Sequence, residues 1–81
     1  MNVRVCFHSY LKDLTGCAQT AETVPDGSNL DDLFRRLNVT FPKLAAAQKS
    51  TLIAVGVDYQ DRSYVLKEGD EVSLLPPVQG G

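Results

Sequence analysis

The sequence has few of the residues that build metal and redox sites, with two cysteines and one histidine among 81 residues. Cys6 and Cys17 do not form a Cys-x-x-Cys pair, and their spacing from the histidine does not match a zinc site. We therefore expect no metal. We interpret both thiols as reduced structural side chains, because unpaired cysteines mostly behave as small hydrophobic residues. A thiol that handles sulfur or electrons remains the alternative.

Long apolar runs and basic stripes are also missing. The longest apolar stretch falls far short of the ~20 residues that span a bilayer, and the opening MNVRVCF is too short and too charged for a signal peptide. Acidic and basic residues are interspersed along the chain, and the net charge is −2. These features predict a cytoplasmic protein whose partners are neither nucleic acids nor membranes.

The chain also lacks the residue patterns of an enzyme active site. It has no convincing Ser/His/Asp or Cys/His arrangement and no glycine-rich loop for phosphate. Its single histidine, His8, is more typical of a surface residue than of a ligand or a base. A domain of this length buries only about 60% of its unfolded surface. We therefore expect the function to lie on a surface or at a terminus rather than in a deep pocket.

Hydrophobic periodicity predicts the first half of the fold. Alternating apolar residues predict a strand around residues 3–7, and a second strand is predicted at 19–24, followed by a Pro-Asp-Gly turn. A helix is predicted from four apolar residues at helical spacing, with Ser28 as the N-cap and Asp31 closing a capping box. Those four apolar residues are Leu30, Leu33, Phe34 and Leu37.

The second half is predicted to be mainly extended. Residues 9–16 are predicted as a loop or single turn, and Pro42 as the start of a short helix. The apolar run 51–57 predicts a buried central strand, in which Gly56 weakens the strand or marks a bulge. A polar turn at 58–63 and a short extended piece at 64–66 precede the last strand, 71–75.

The resulting order is β, β, α, β, β, which indicates an α+β domain with one main helix covering a small mixed sheet. With the helix as crossover, the first and last strands can lie parallel and adjacent, as in the β-grasp, or ubiquitin-like, architecture. A ferredoxin-like split is the alternative, but it would need a second full helix. We predict a β-grasp domain at residues 1–75 and an extended tail at 76–81.

The sequence ends on LLPPVQGG. Pro76 and Pro77 lack a backbone N–H and force the preceding residues to be extended, so the last strand is predicted to end at about Leu75. Gly80 and Gly81 lack a Cβ and permit close approach to another surface. The pattern predicts a thin, stiffened thread with a carboxylate at its tip. A frayed end remains the alternative, since small residues are common at termini.

A carboxylate is a poor electrophile until its oxygen carries a good leaving group, for example after adenylation by ATP. An enzyme that performs this step must admit the tail through a narrow channel. Prestiffening by the prolines would lower the entropic cost of docking, which is about 1–2 kcal/mol for each ordered residue. We therefore interpret the tail as a substrate rather than a catalyst.

The ending GDEVSLLPPVQGG resembles that of the small, sulfur-carrying subunit of molybdopterin synthase, a ubiquitin-like family. The similarity covers essentially the whole chain, with VCFHSYLKDLTG resembling the family's first strand and turn and LIAVGVDYQ its central strand. The chain has Gly56 where the family often has asparagine, and Gln79 where it commonly has serine or threonine.

The resemblance implies that Gly81 carries the chemistry. An adenylyltransferase similar to ubiquitin-activating enzymes would form an acyl-adenylate there, and a sulfur donor protein would convert it to a thiocarboxylate. The tail would then enter the large catalytic subunit and give its sulfur to a pterin precursor. Gly80 would provide clearance in the channel, which would also receive Pro76, Pro77, Val78 and Gln79. The chain itself would bind no cofactor, since the activating partner uses the ATP.

The resemblance also implies a partner-binding surface near the tail. Its apolar positions fall at His8, Tyr59 and Leu75, of which His8 replaces a residue that is often aromatic or apolar. Lys12 matches a basic position of the family that would help docking. From the residues alone, these side chains equally fit ordinary surface and edge-of-core roles.

Three other functions share parts of this pattern. A sulfur carrier for the thiamine thiazole uses the same Gly-Gly chemistry but is usually shorter and lacks the Pro-Pro-Val approach. A protein modifier would join Gly81 to lysine side chains. A ubiquitin-like binding module would use its apolar face and would be indifferent to loss of the two terminal glycines.

Overall fold

A five-stranded sheet forms the centre of the computed structural model, which describes residues 1–77. The strands are β1 (Asn2–Phe7), β2 (Gln19–Thr23), β3 (Leu52–Val55), β4 (Asp58–Tyr59) and β5 (Glu71–Leu75). The helices are α1 (Tyr10–Thr15) and α2 (Leu30–Thr40), followed by a 3₁₀ helix (Pro42–Ser50). The strand order is β2-β1-β5-β3-β4.

The first and last strands lie side by side and parallel, with Val5 opposite Val72. The other strand pairs are antiparallel. Because α2 lies in the connection between the two halves of the sheet, it acts as the crossover that parallel strands require. The predicted α+β, β-grasp architecture is confirmed.

The core lies between one face of the sheet and α2. The apolar residues of β1 and β5 that point towards the helix are buried, as are the four apolar residues predicted for the helix. They are Val3, Val5, Phe7, Val72 and Leu74 on the strands, and Leu30, Leu33, Phe34 and Leu37 on α2. Burying one such side chain contributes about 1.5–3 kcal/mol, so this face supplies most of the hydrophobic stabilisation.

The predicted N-cap of α2 is wrong by one residue. Asn29 is the cap: its side-chain oxygen accepts from the Asp32 amide at 2.9 Å, and the Asp32 carboxylate accepts from the Asn29 amide at 3.0 Å. Ser28 is engaged in the preceding turn, where its hydroxyl donates to the Pro25 carbonyl at 2.7 Å. Asp31 pairs instead with Arg35 one turn later, at 2.7 Å.

Residues 10–15 form the short helix α1 where the sequence predicts a loop or single turn. Leu11 is fully buried beneath the helix, and this anchor explains why the segment folds despite its length. Gly16 ends the helix with φ +77°, and its N–H donates to the Lys12 carbonyl at 2.7 Å. Glycine adopts this left-handed conformation without steric cost.

The predicted central strand at 51–57 is shorter and lies elsewhere in the sheet. β5 is central, whereas β3 spans only Leu52–Val55 and lies next to the two-residue strand β4. Within β3 only Ile53 is buried. Gly56 forms the turn into β4, with φ +61°, and is not a bulge. Asparagine, which the sequence analysis expects at this position in the similar family, is among the residues that tolerate this left-handed region.

Candidate functional site

The last strand leaves the sheet between the end of β1 and the start of β3. The His8 amide donates to the Leu74 carbonyl at 3.1 Å, and Leu75 pairs with Leu52. β5 ends at Leu75, as predicted. The next two residues, Pro76 and Pro77, have no N–H with which to extend the ladder, and both are half-buried.

The sheet face opposite α2 is not covered by any other element among residues 1–77. Tyr59 pairs with Ala54, and Ala54 pairs with Ser73, so these residues form one row across three strands. Leu75 lies two residues beyond Ser73 and therefore on the same face, because side chains alternate along a strand. We call this surface the open face.

Of the four predicted partner-binding residues, His8 and Leu75 lie at the end of the open face from which the tail leaves, and Tyr59 lies one row away on the edge strand β4, opposite Ala54. His8 is exposed and adjoins the end of β5, Leu75 is half-buried, and Tyr59 is 67% exposed. Lys12 is not on the sheet. It is an exposed residue of α1, which begins just after His8 at the same end of the molecule.

Leu52 also belongs to this surface, although the sequence analysis assigned it to a buried strand. It pairs with Leu75 and, together with Ile53 and Tyr59, lines an open groove of about 510 Å³ beside β4. The sequence feature that could have identified Leu52 as part of this surface is the apolar run 51–57 itself. An apolar side chain on an uncovered surface has the same sequence pattern as one that packs in a core.

Arg62 fixes the wall of this groove to the helix behind it. Its guanidinium lies 4.5 Å from the centre of the Phe34 ring and donates to the Gln48 carbonyl. Asp31 lies 3.9 Å from the same guanidinium. Stacking on an aromatic ring and ion pairing both suit a partly buried arginine. The groove therefore has one polar wall held in place and one apolar wall formed by β3.

Two ionisable groups near this region have shifted pKa values. The pKa of Asp61 is lowered, chiefly because its carboxylate accepts from the Ser63 hydroxyl and also from the Ser63 amide. Burial raises the pKa of Tyr64, helped by its hydrogen bond to Asp70 at 3.1 Å. Both pairs stabilise the loop between β4 and β5, so we interpret them as structural contacts.

Within residues 1–77, no group of three or more histidine, cysteine or acidic side chains could hold a metal ion. Cys6 and Cys17 are both free thiols and half-buried. No helix in this part of the chain is long and apolar enough to cross a membrane.

The remaining predicted site residues, Val78, Gln79, Gly80 and Gly81, lie outside the described residues. Their roles stay predictions, as does the division into a domain at 1–75 and a tail at 76–81.

Comparisons with known proteins give one consistent family. The model of the ThiS family matches residues 5–81. The molybdopterin synthase sulfur carrier subunit of Chlamydomonas reinhardtii is 29% identical over 84 residues, an alignment that covers 100% of both chains.

Solved structures agree with the fold. SAMP1 from Haloferax volcanii matches with a TM-score of 0.90 at 18% identity over 100% of both chains, a likeness of fold alone. A chain in the complex of subunits 1 and 2 of the molybdopterin-converting factor from Helicobacter pylori matches at a TM-score of 0.72, with 28% identity over 100% of both chains.

Proposed function

Because the chain belongs to the ThiS family, we propose that it carries sulfur on its C-terminal glycine and acts as the small subunit of a molybdopterin synthase. The observation that carries the proposal is the end of β5. The central strand of the sheet leads directly into Pro76 and Pro77, and at that point the apolar residues Leu52 and Leu75 pair with each other on the open face. This arrangement suits a protein that docks by its face and inserts its tail.

The proposed chemistry takes place at Gly81 in two steps. First, an oxygen of its carboxylate attacks the α-phosphorus of ATP, which releases pyrophosphate and leaves an acyl-adenylate. Second, a sulfur nucleophile at the oxidation level of sulfide attacks the acyl carbon and expels AMP. The product is a thiocarboxylate. An adenylyltransferase similar to ubiquitin-activating enzymes would catalyse the first step. A sulfur donor protein would supply the sulfur nucleophile for the second step.

The large catalytic subunit is the proposed recipient of the loaded tail. Gly80 would pass the narrowest part of its channel, with Val78 and Gln79 behind. Sulfur would move to a pterin precursor as the acyl–sulfur bond breaks, and Gly81 would return to a carboxylate with oxygen from water or the substrate. The open face, with His8, Tyr59 and Leu75, would dock on the large subunit, and Lys12 would support the contact.

Reconstitution tests this function. The untagged chain is loaded with ATP, a sulfide source and the organism's adenylyltransferase, purified, and mixed with the large subunit and the pterin precursor. We expect a dithiolene product in stoichiometric proportion to the loaded carrier, formed without any cofactor bound to the carrier itself. A carrier incubated without ATP is the matched control and should yield none. Loaded carrier that gives no product would contradict the pterin assignment and favour a thiazole precursor as acceptor.

A further inference from the structure

The exposed charges of the domain separate towards two ends, although acidic and basic residues are interspersed in the sequence. One end, around the start of β1, carries several acidic side chains, with the exposed cations Arg4 and Lys67 among them. There the Asn2 amide donates to the Glu68 carboxylate at 3.0 Å, Val3 pairs with Glu22, and Arg4 pairs with Glu71.

The opposite end carries three exposed lysines, Lys12, Lys43 and Lys49, which we call the basic collar. Two of them are tied by the chain to the last residues of β5. Lys12 lies four residues after His8, and the His8 amide donates to the Leu74 carbonyl. Lys49 lies three residues before Leu52, and Leu52 pairs with Leu75.

The third lysine is placed by aromatic packing. Lys43 follows Phe41 by two residues, and the Phe41 ring packs edge-on against Phe7 with centroids 5.5 Å apart. Phe7 in turn pairs with Leu74 in the parallel ladder. All three lysines therefore lie at the end of the sheet from which the tail leaves.

No ion pair within residues 1–77 neutralises Lys43 or Lys49, whereas Lys12 has the exposed carboxylate of Asp13 beside it on α1. The ion pairs found within residues 1–77 use the amino group of Met1, Arg35 and Arg62, and none involves a lysine. The sequence has no acidic residue between Asp32 and Asp58, the stretch that contains Lys43 and Lys49. Uncompensated like charges on one surface favour an oppositely charged partner.

We propose that the basic collar docks on acidic side chains around the mouth of the adenylyltransferase channel. This inference rests on the proposed function, in which the tail enters that channel. The tail's carboxylate must approach the negatively charged phosphates of ATP, so an excess of positive charge at the leading end reduces the electrostatic opposition to insertion. Charges at the rim of an interface act mainly on the association rate and on its salt dependence.

A pair of charge reversals that lead to the same net charge tests the collar. The test variant is Lys43→Glu with Lys49→Glu, and the control is Arg36→Glu with Lys67→Glu. All four side chains are exposed, and Arg36 and Lys67 lie on α2 and in the loop before β5, away from the collar. The readout is ATP–pyrophosphate exchange with the purified adenylyltransferase, with the carrier as varied substrate and thermal unfolding measured alongside.

We expect the collar variant to lower kcat/KM about tenfold at low salt with kcat unchanged. The control should stay within about twofold. The difference should nearly vanish at about 1 M salt, where the Debye length is about 3 Å. The neutral variant Lys43→Gln with Lys49→Gln should fall between wild type and the collar reversal. Equal kcat/KM for collar and control variants, or a loss that salt does not relieve, would overturn the inference.

Failure of this inference is distinguishable from failure of the proposed function. If wild type shows normal exchange and both charge variants behave alike, the collar has no role and the carrier function stands. If wild type shows no exchange with an active enzyme, the carrier function is wrong and the collar proposal is overturned with it.

Discussion

The two faces of the sheet differ in what covers them. On the face beneath α2, Val5 and Val72 have no exposed surface. On the open face, Ser73 and Leu75 of the same central strand are half-buried, and Tyr59 on the edge is mostly exposed. One face therefore supplies stability, while the other is available for a partner. Substitutions on the two faces, and at the tail, should separate folding from function.

The largest expected effect comes from the tail. Gly81→Ala adds a methyl group at the residue that, in the proposed function, passes closest to the activating enzyme, so we expect ATP–pyrophosphate exchange to be abolished. The midpoint of thermal unfolding should not change, because the tail follows the last strand. Gly16→Ala provides a contrasting variant: it strains a left-handed residue at φ +77° and should lower stability while leaving exchange intact below the unfolding temperature. Normal ATP–pyrophosphate exchange by Gly81→Ala would contradict the prediction that this position requires a residue without a Cβ.

The covered face should respond in the opposite way. Leu37 is fully buried on α2, so Leu37→Ala should lower the free energy of unfolding by about 2–5 kcal/mol. Val39 lies on the same helix but is 84% exposed, and Val39→Ala should change stability by less than about 0.5 kcal/mol. Urea denaturation of both variants checks this contrast. A similar loss for the two would show that α2 does not pack as described.

The open face should affect binding more than folding. We expect the double variant Tyr59→Ser with Leu75→Ser to weaken binding to the large subunit at least about tenfold, since apolar anchors dominate interface energies. The control Val57→Ser removes a side chain that is 96% exposed in the turn at the far end of β3, and it should bind as wild type does. Calorimetric titration measures both, and equal affinities would remove the open face from the docking surface.

The smallest expected effect concerns the cap of α2. Asn29→Ala removes the side chain that accepts from the Asp32 amide and should cost about 1 kcal/mol. Asp31→Ala removes the ion pair with Arg35 and the longer one with Arg62. Because both pairs are accessible to solvent, we expect a smaller cost, about 0.5 kcal/mol. Thermal unfolding of both variants measures which substitution lowers the stability more. The reverse order would restore Ser28 and Asp31 as the capping pair.

The covered face could be predicted from the sequence because its cause is local. The spacing of Leu30, Leu33, Phe34 and Leu37 matches one helical turn after another, and the alternation in residues 3–7 matches a strand with one buried face. Pro76 and Pro77 restrict the chain in an equally local way, and the predicted end of β5 at Leu75 followed from them.

The predictions from the sequence were wrong where contacts between distant segments determine the local structure. The first amides of α2 are taken by the loop before β5, with the Leu30 N–H donating to the Tyr64 carbonyl, so the exact cap depends on a distant segment. Leu52 has the pattern of a core residue because an apolar side chain on an uncovered face of a sheet gives the same sequence signal as one in the core. The basic collar joins lysines from two separate helices, which no window along the chain can reveal.

The central claim is that Gly81 carries sulfur, and the mass of the C-terminal peptide tests it most directly. The untagged chain is incubated with adenylyltransferase, ATP and a sulfur source, digested, and the last peptide is measured. The peptide is needed rather than the whole chain, because oxidation of Met1 or a cysteine shifts the intact mass almost as an oxygen-to-sulfur exchange does. The account predicts one oxygen replaced by sulfur at Gly81. An unmodified carboxylate, or a branched peptide joining Gly81 to a lysine, would contradict it.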